Sequence, residues 1–193
     1  MSYKKKEPQF SLAFDCETSG YSFPNYAEKH QMISFGVAIV KNDTLEIVDK
    51  LYREIKFNSK FEWSIQAEAV HGLTIEHLEK NGSAMQDACV DLVNLVVKYW
   101  GIDSPVMIMG HNPQFDIHFI KSSLEPLGLM FPIYHRIIDS SVAGFVNLNK
   151  TLSDDIFDTL ALPTRTIHNA MQDVEITVEA LKTMRLIFQN SIN

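Results

Sequence analysis

An apolar strand running straight into two acids constrains this chain more than any other feature. Bulky Phe10, Leu12 and Phe14 alternate with small Ser11 and Ala13, and Asp15-Cys16-Glu17 follows before the turn residues Thr18-Ser19-Gly20. Alternate residues of a strand share a face. Asp15 and Glu17 therefore stand side by side on the face of Ser11 and Ala13, while Cys16 points the other way. The small residues on the acid face leave room for a closely packed helix. Acids at the carboxyl end of a central α/β strand lie where such folds place their sites. Two neighbouring carboxyls resist ionising together unless a cation lies between them, and carboxylates suit hard ions such as Mg²⁺ or Mn²⁺. The pair reads as half of a metal site, with a solvated strand end as the alternative.

The 193-residue chain offers enough material for one domain, 1–193, with a frayed terminus over 1–8. That terminus carries Lys4-Lys5-Lys6 and lacks the apolar segment of a secretory signal. No run approaches membrane-spanning length, so no membrane partner is expected. Cys16 and Cys89 make no disulfide framework, which fits a reducing cytoplasm. The net charge of −7 repels phosphate overall, so nucleic-acid binding requires a local basic patch or bound cations.

Strand patterns run over 9–15, 31–40 and 45–56, the last two joined by the turn Lys41-Asn42-Asp43 into an antiparallel hairpin. Helical spacing covers 83–100. Residues 105–109 form a short buried strand, 110–113 a turn and 114–124 a helix. A short strand at 136–139 precedes further helical material, and a final helix spans 169–189 with Val174, Val178, Leu181, Met184 and Phe188 along one side. A hairpin sheet followed by alternating helices and strands gives a mixed α/β sheet flanked by helices. The scattered methionines read as core. Ser153 followed by Asp154, Asp155 and Asp158 reads as a helix start rather than a metal cluster.

Two later segments also carry acids. In His111-Asn112-Pro113-Gln114-Phe115-Asp116, Asp116 lies near a helix start, where the helix dipole alone would accommodate it. In His168-Asn169-Ala170-Met171-Gln172-Asp173, residues five apart on a helix are about 140° out of register. His168 therefore belongs in the loop and Asp173 in the first turn or so of the helix.

Together these segments resemble the three motifs of the DEDDh 3′–5′ exonucleases, the group holding the proofreading subunits of bacterial polymerases and RNase T. Asp15-Cys16-Glu17-Thr18-Ser19-Gly20 resembles the first, with Ser19 replacing a threonine. Asn112, Phe115 and Asp116 match the second, and His168 with Asp173 the third. Val70-His71-Gly72-Leu73-Thr74 resembles a further family signature, and Asp139-Ser140 the family's usual Asp-Thr. The likeness spans residues 10–188.

The resemblance implies an RNase H-like sheet and an enzyme that hydrolyses nucleic-acid 3′ ends. It implies that Asp15, Glu17, Asp116 and Asp173 hold two divalent ions, Mg²⁺ or Mn²⁺, and that His168 is the general base. Thr18 lies beside the terminal sugar, and His71 and Leu73 near the terminal base. Asn112 and Phe115 are further substrate contacts, with Tyr21 and Phe23 as other stacking rings, although core packing is the simpler role for Phe115. Arg165 is the best phosphate contact, ahead of Arg136 and Lys150. Asp139 caps a helix rather than acting as a fifth ligand. Single-stranded DNA is the leading substrate and RNA, as for RNase T, the rival. A separate DNA polymerase and a homodimer are the partners the family suggests. A non-catalytic nucleic-acid- or polymerase-binding module and a one-metal nucleotide-binding domain are the readings of other classes.

Overall fold

A computed structural model describes residues 8–24, 26–163 and 165–191. The terminus expected to fray lies outside these residues except for Pro8, whose carbonyl accepts from Asn42 Nδ2 at 2.8 Å. Five strands form one mixed sheet: β1 (Phe10–Thr18), β2 (Met32–Lys41), β3 (Ile47–Glu54), β4 (Ile108–Gly110) and β5 (Ile138–Asp139). Their order is β3-β2-β1-β4-β5. The β1/β2 and β2/β3 pairs are antiparallel, and β1/β4 and β4/β5 are parallel. Eight helices accompany them among the described residues: α1 (Tyr26–Lys29), α2 (Ile65–His71), α3 (Ile75–Asn81), α4 (Met85–Trp100), α5 (Pro113–Leu124), α6 (Ser140–Leu148), α7 (Ser153–Thr159) and α8 (Ala170–Ser191). The expected mixed sheet with an antiparallel hairpin is present.

The alternation along β1 divides the core. Leu12, Phe14 and Cys16 join Phe35, Val37 and Ile39 of β2 against α4 and α5, which bury Ala88, Leu92, Val96, Ile117, Phe119 and Ile120. Ala88, Leu92 and Val96 recur at the four-residue spacing that makes one helical stripe. On the other face, Ala13, Ala38 and Val40 meet Val174, Val178, Leu181 and Met184 of α8, with Ile156 and Phe157 of α7 beside them. The small side chains of β1 thus receive a helix, as the sequence predicts.

Four details depart from the sequence reading. The first strand continues through both acids to Thr18 because β2 pairs with it as far as Met32, across a register shift between Glu17 and Thr18. Two short helices, α2 and α3, occupy a stretch with little apolar periodicity. Phe188 is 55% exposed, and Leu186 and Ile187 beside it are exposed too, because the end of α8 outruns the sheet that covers Val174, Val178, Leu181 and Met184. Met130 lies outside the core on the surface. No helix among the described residues is long and apolar enough to cross a membrane.

Candidate active site

Strand β1 presents Asp15 and Glu17 on the face that α8 covers. Opposite Asp15 in the antiparallel register stands Gly36. A Cβ on Gly36 would fall 2.5 Å from the Ala170 backbone. Glycine therefore permits the start of α8 to press onto the sheet there, and this brings Asp173, in the first turn of α8, to the acid pair. Asn169 secures that turn, its Oδ1 accepting from Met171 N at 3.1 Å and Gln172 N at 3.2 Å.

Asp116 arrives from the opposite layer. Strand β4 pairs with β1 only through Leu12 and Ala13. Beyond that point the β1 edge lacks a strand neighbour, and Cys16 N–H donates instead to Asp116 Oδ1 at 3.0 Å. Asp116 is held at that edge by the turn before α5, in which Asn112 adopts a left-handed conformation (φ 51°) and Pro113 opens the helix. Asn112 N–H donates to Asp139 Oδ1 at 3.1 Å, and the same oxygen accepts from Ser141 N at 2.8 Å to cap α6. Asp139 is therefore a structural cap, as the sequence predicts.

His168 lies in the loop before α8, half-exposed at 36% of its side chain, with Nδ1 3.6 Å from Asp173 Oδ2. Its own N–H donates to Val70 O at 3.0 Å, which ties this loop to α2. One ligand atom from each of Glu17, His168 and Asp173 lies within 4.8 Å of the others. Asp15 feels the charges of Asp116, Glu17 and Asp173, so the four carboxyls share one electrostatic neighbourhood.

Burial dominates that neighbourhood. It pushes Glu17 up to about 8, with the Asp173 charge adding and Arg165 opposing. It raises Asp116 to about 7 against the hydrogen bonds from Cys16. Asp15 rises well above the usual carboxylate range through burial and then its three acidic neighbours. Asp173 rises through burial, with Arg165 pulling it back. Burial and then Arg165 lower His168, which favours the neutral imidazole. Glu17 Oε1 is buried without a hydrogen-bond partner. A buried carboxylate oxygen left unpaired among other acids fits a divalent ion, which would reverse every one of these upward shifts. The oxygen-rich donor set suits Mg²⁺ or Mn²⁺.

Beside the acids opens a cleft of about 510 Å³, lined by Glu17, Thr18, Tyr21, Gln66, Val70, His71 and Phe115 among others. Thr18 Oγ1 donates to Gly20 O at 2.9 Å, bracing the turn that forms its floor. His71 Nδ1 accepts from Leu73 N at 3.0 Å, so the ring proton sits on Nε2. That Nε2 is buried without a partner at ordinary hydrogen-bond distance. Leu73 turns the chain behind His71 and does not line the cleft. Phe115 is half-buried and serves both core and cleft, its ring 5.9 Å from Tyr21 and 5.0 Å from Phe119. Tyr21 stacks on Tyr26 at 5.6 Å, whereas exposed Phe23 stands outside the cleft lining.

Arg165 takes a different position from the one the sequence suggests. Its guanidinium turns inward, pairing with Asp173 through one nitrogen and with Ser153 and Asp154 through the other. Lys150 is paired with Asp155 at 3.7 Å. The wall formed by α2 has no apolar periodicity to announce it in the sequence, although its caps are legible: Ser64 Oγ accepts from Ala67 N, and Gly72 ends the helix at φ 70°.

A family model described as an exonuclease of the RNase T type matches residues 12–181. Among solved structures, exonuclease I aligns with a TM-score of 0.74 and 14% identity, over 93% of this chain and 41% of that one. A zinc-bound complex of the E. coli exonuclease I with single-stranded DNA aligns with the same TM-score, identity and coverage. A 3′-exonuclease described for 3′-end-specific recognition of a histone mRNA stem-loop aligns at 0.71 and 14% identity, over 94% of this chain and 82% of that one. The chain thus spans about two fifths of exonuclease I. Identities at this level carry the fold, an RNase H-like one. No curated protein matches the sequence.

Proposed function

The chain belongs to the exonuclease family, and from that membership we propose that it is a metal-dependent 3′–5′ exonuclease releasing nucleoside 5′-monophosphates from single-stranded DNA. The observation that carries this reading is the meeting of Asp15, Glu17, Asp116 and Asp173, drawn from β1, α5 and α8, beside His168 and an open cleft.

Asp15, Glu17, Asp116 and Asp173 hold two divalent ions in this proposal. When bound, the ions acidify a water and neutralise charge on the scissile phosphate and the departing 3′-oxygen. His168 takes the proton from the attacking water. With Nδ1 turned toward Asp173, Nε2 is the atom left to receive it. The new bond joins water oxygen to phosphorus, and the bond to the penultimate 3′-oxygen breaks. In this proposal Thr18 borders the terminal sugar and His71 the terminal base, and Phe115 and Tyr21 offer ring faces to bases. The half-exposed loop position lets His168 accept and return protons, while α8 keeps Asp173 rigid.

A second substrate, RNA 3′ ends, is favoured by one observation. The 3′-exonuclease described with a histone mRNA stem-loop matches this chain over most of its own length, whereas exonuclease I does so over a minority. Digestion of matched 5′-labelled DNA and RNA oligonucleotides separates the two. A ladder shortening from the 3′ end supports the class, and the faster strand names the substrate. Internal cuts, or no cleavage with Mg²⁺ or Mn²⁺, would overturn it.

A further inference from the structure

Arg165 is the buried cation that the exonuclease chemistry leaves unused. Only 8% of its side chain is exposed. One guanidinium nitrogen pairs with Asp173 Oδ1. The other donates to Ser153 Oγ at 2.9 Å and Asp154 Oδ1 at 3.3 Å. The guanidinium also lies 5.3 Å from the centre of the Phe157 ring. Ser153, Asp154 and Phe157 all belong to α7, so the arginine bridges α7 to the acid cluster. It does not line the substrate cleft.

Asp173 and Asp154 offer this side chain two seats of the same chemistry. Asp173 is buried beside Glu17 and His168, whereas Asp154 is 70% exposed. A guanidinium on Asp173 supplies positive charge where acids crowd together, and its influence reaches Asp15 and Glu17 as well. A divalent ion on Asp173 would repel it at close range. The contacts to Ser153 and Asp154 already hold the far nitrogen, so release of Asp173 needs only a turn of the guanidinium about its α7 anchor.

We propose that Arg165 is a resident counter-ion that competes with divalent metal for Asp173 and is parked on Ser153 and Asp154 once metal is bound. The inference rests on the metal-site reading above. It makes Arg165 a positioning residue: it keeps Asp173 aimed at the cluster before loading and sets the metal concentration at which loading occurs.

The test is Mn²⁺ titration of the full chain by calorimetry, after chelator and dialysis, at neutral pH. Arg165→Gln removes the competing charge and should bind Mn²⁺ about tenfold more tightly than the wild type, the size expected for a charged hydrogen-bonded partner lost from the competition. Loss of mere structural support would weaken binding, so the sign separates the two roles. Asp154→Asn removes the parking seat and should weaken Mn²⁺ binding a few-fold while Arg165 stays in place. Melting in chelator gives a second readout, in which Arg165→Gln should melt below the wild type and recover with Mn²⁺. Unchanged or weaker Mn²⁺ binding by Arg165→Gln overturns the counter-ion role, as does unchanged or tighter binding by Asp154→Asn. If the wild type itself binds no Mn²⁺, the metal-site reading fails and takes this inference with it. Tight wild-type binding with no response to Arg165→Gln sinks the counter-ion alone.

Discussion

The two faces of β1 behave as different materials. One face sets Leu12, Phe14 and Cys16 into an apolar layer with α4 and α5, where Phe14 stacks on Phe35 with ring centres 5.8 Å apart. The other begins the same way, with Ala13 under α8, and then presents Asp15 and Glu17 to other buried acids. Burial stabilises the first face through removal of apolar area from water. On the second face burial opposes ionisation, and the carboxyls of Asp15 and Glu17 are shifted upward accordingly. One strand therefore carries both the anchor of the sheet and its least comfortable charges. The rigid anchor is what allows the charges to be held in one place.

The largest effect that would break this contrast comes from the acid face. Asp15→Asn should cut exonuclease turnover by roughly a thousandfold or more, because metal-assisted chemistry supplies several kcal/mol. The same change should raise the melting temperature in chelator by removing a carboxyl whose ionisation the fold opposes. Near-normal turnover on labelled oligonucleotides would remove Asp15 from the site. His168→Ala comes next, with an expected loss of about a hundred- to ten-thousand-fold in turnover and Mn²⁺ binding retained. Turnover equal to the wild type would exclude His168 as the base.

On the apolar face, Phe14→Ala should lower folding stability by about 3–5 kcal/mol in urea titration, through lost burial and the cavity left against Phe35. A loss under about 1 kcal/mol would mean that the layer relaxes around the gap. The smallest effect is a pH slope. Folding without metal moves the Glu17 carboxyl from 4.5 to about 8. Between these values the folded chain holds more protons than the unfolded one, so stability in chelator should fall as pH rises across that window. Added Mg²⁺ should stabilise more at the alkaline end than at the acid end. A flat melting profile in chelator, or equal Mg²⁺ stabilisation at both ends, contradicts the assignment of Glu17 as a buried, strained ligand.

Much of this was legible in the linear chain because periodicity is local. Alternation in Phe10–Phe14, the hairpin turn near Lys41 and the stripe of Val174, Val178, Leu181 and Met184 each arise from neighbours along the backbone. The same holds for Asp15 and Glu17 sharing a face, and for His168 preceding the helix that carries Asp173. The α2 wall escaped because Ile65–His71 has caps but no apolar rhythm, and its packing partner, the His168 loop, lies about a hundred residues away. Phe188 fitted its stripe, yet exposure depends on where the sheet beneath α8 ends.

Sequence alone therefore established the strand and helix order, and which acids were available, since those follow from side-chain spacing over a few residues. Folding decided how the acids meet: Gly36 admits α8, the uncovered β1 edge recruits Asp116, and Arg165 turns toward Asp173 instead of solvent. These are close approaches between distant segments, governed by sterics and by charges that have left water. No local pattern encodes the distance between two groups that only the finished packing brings together.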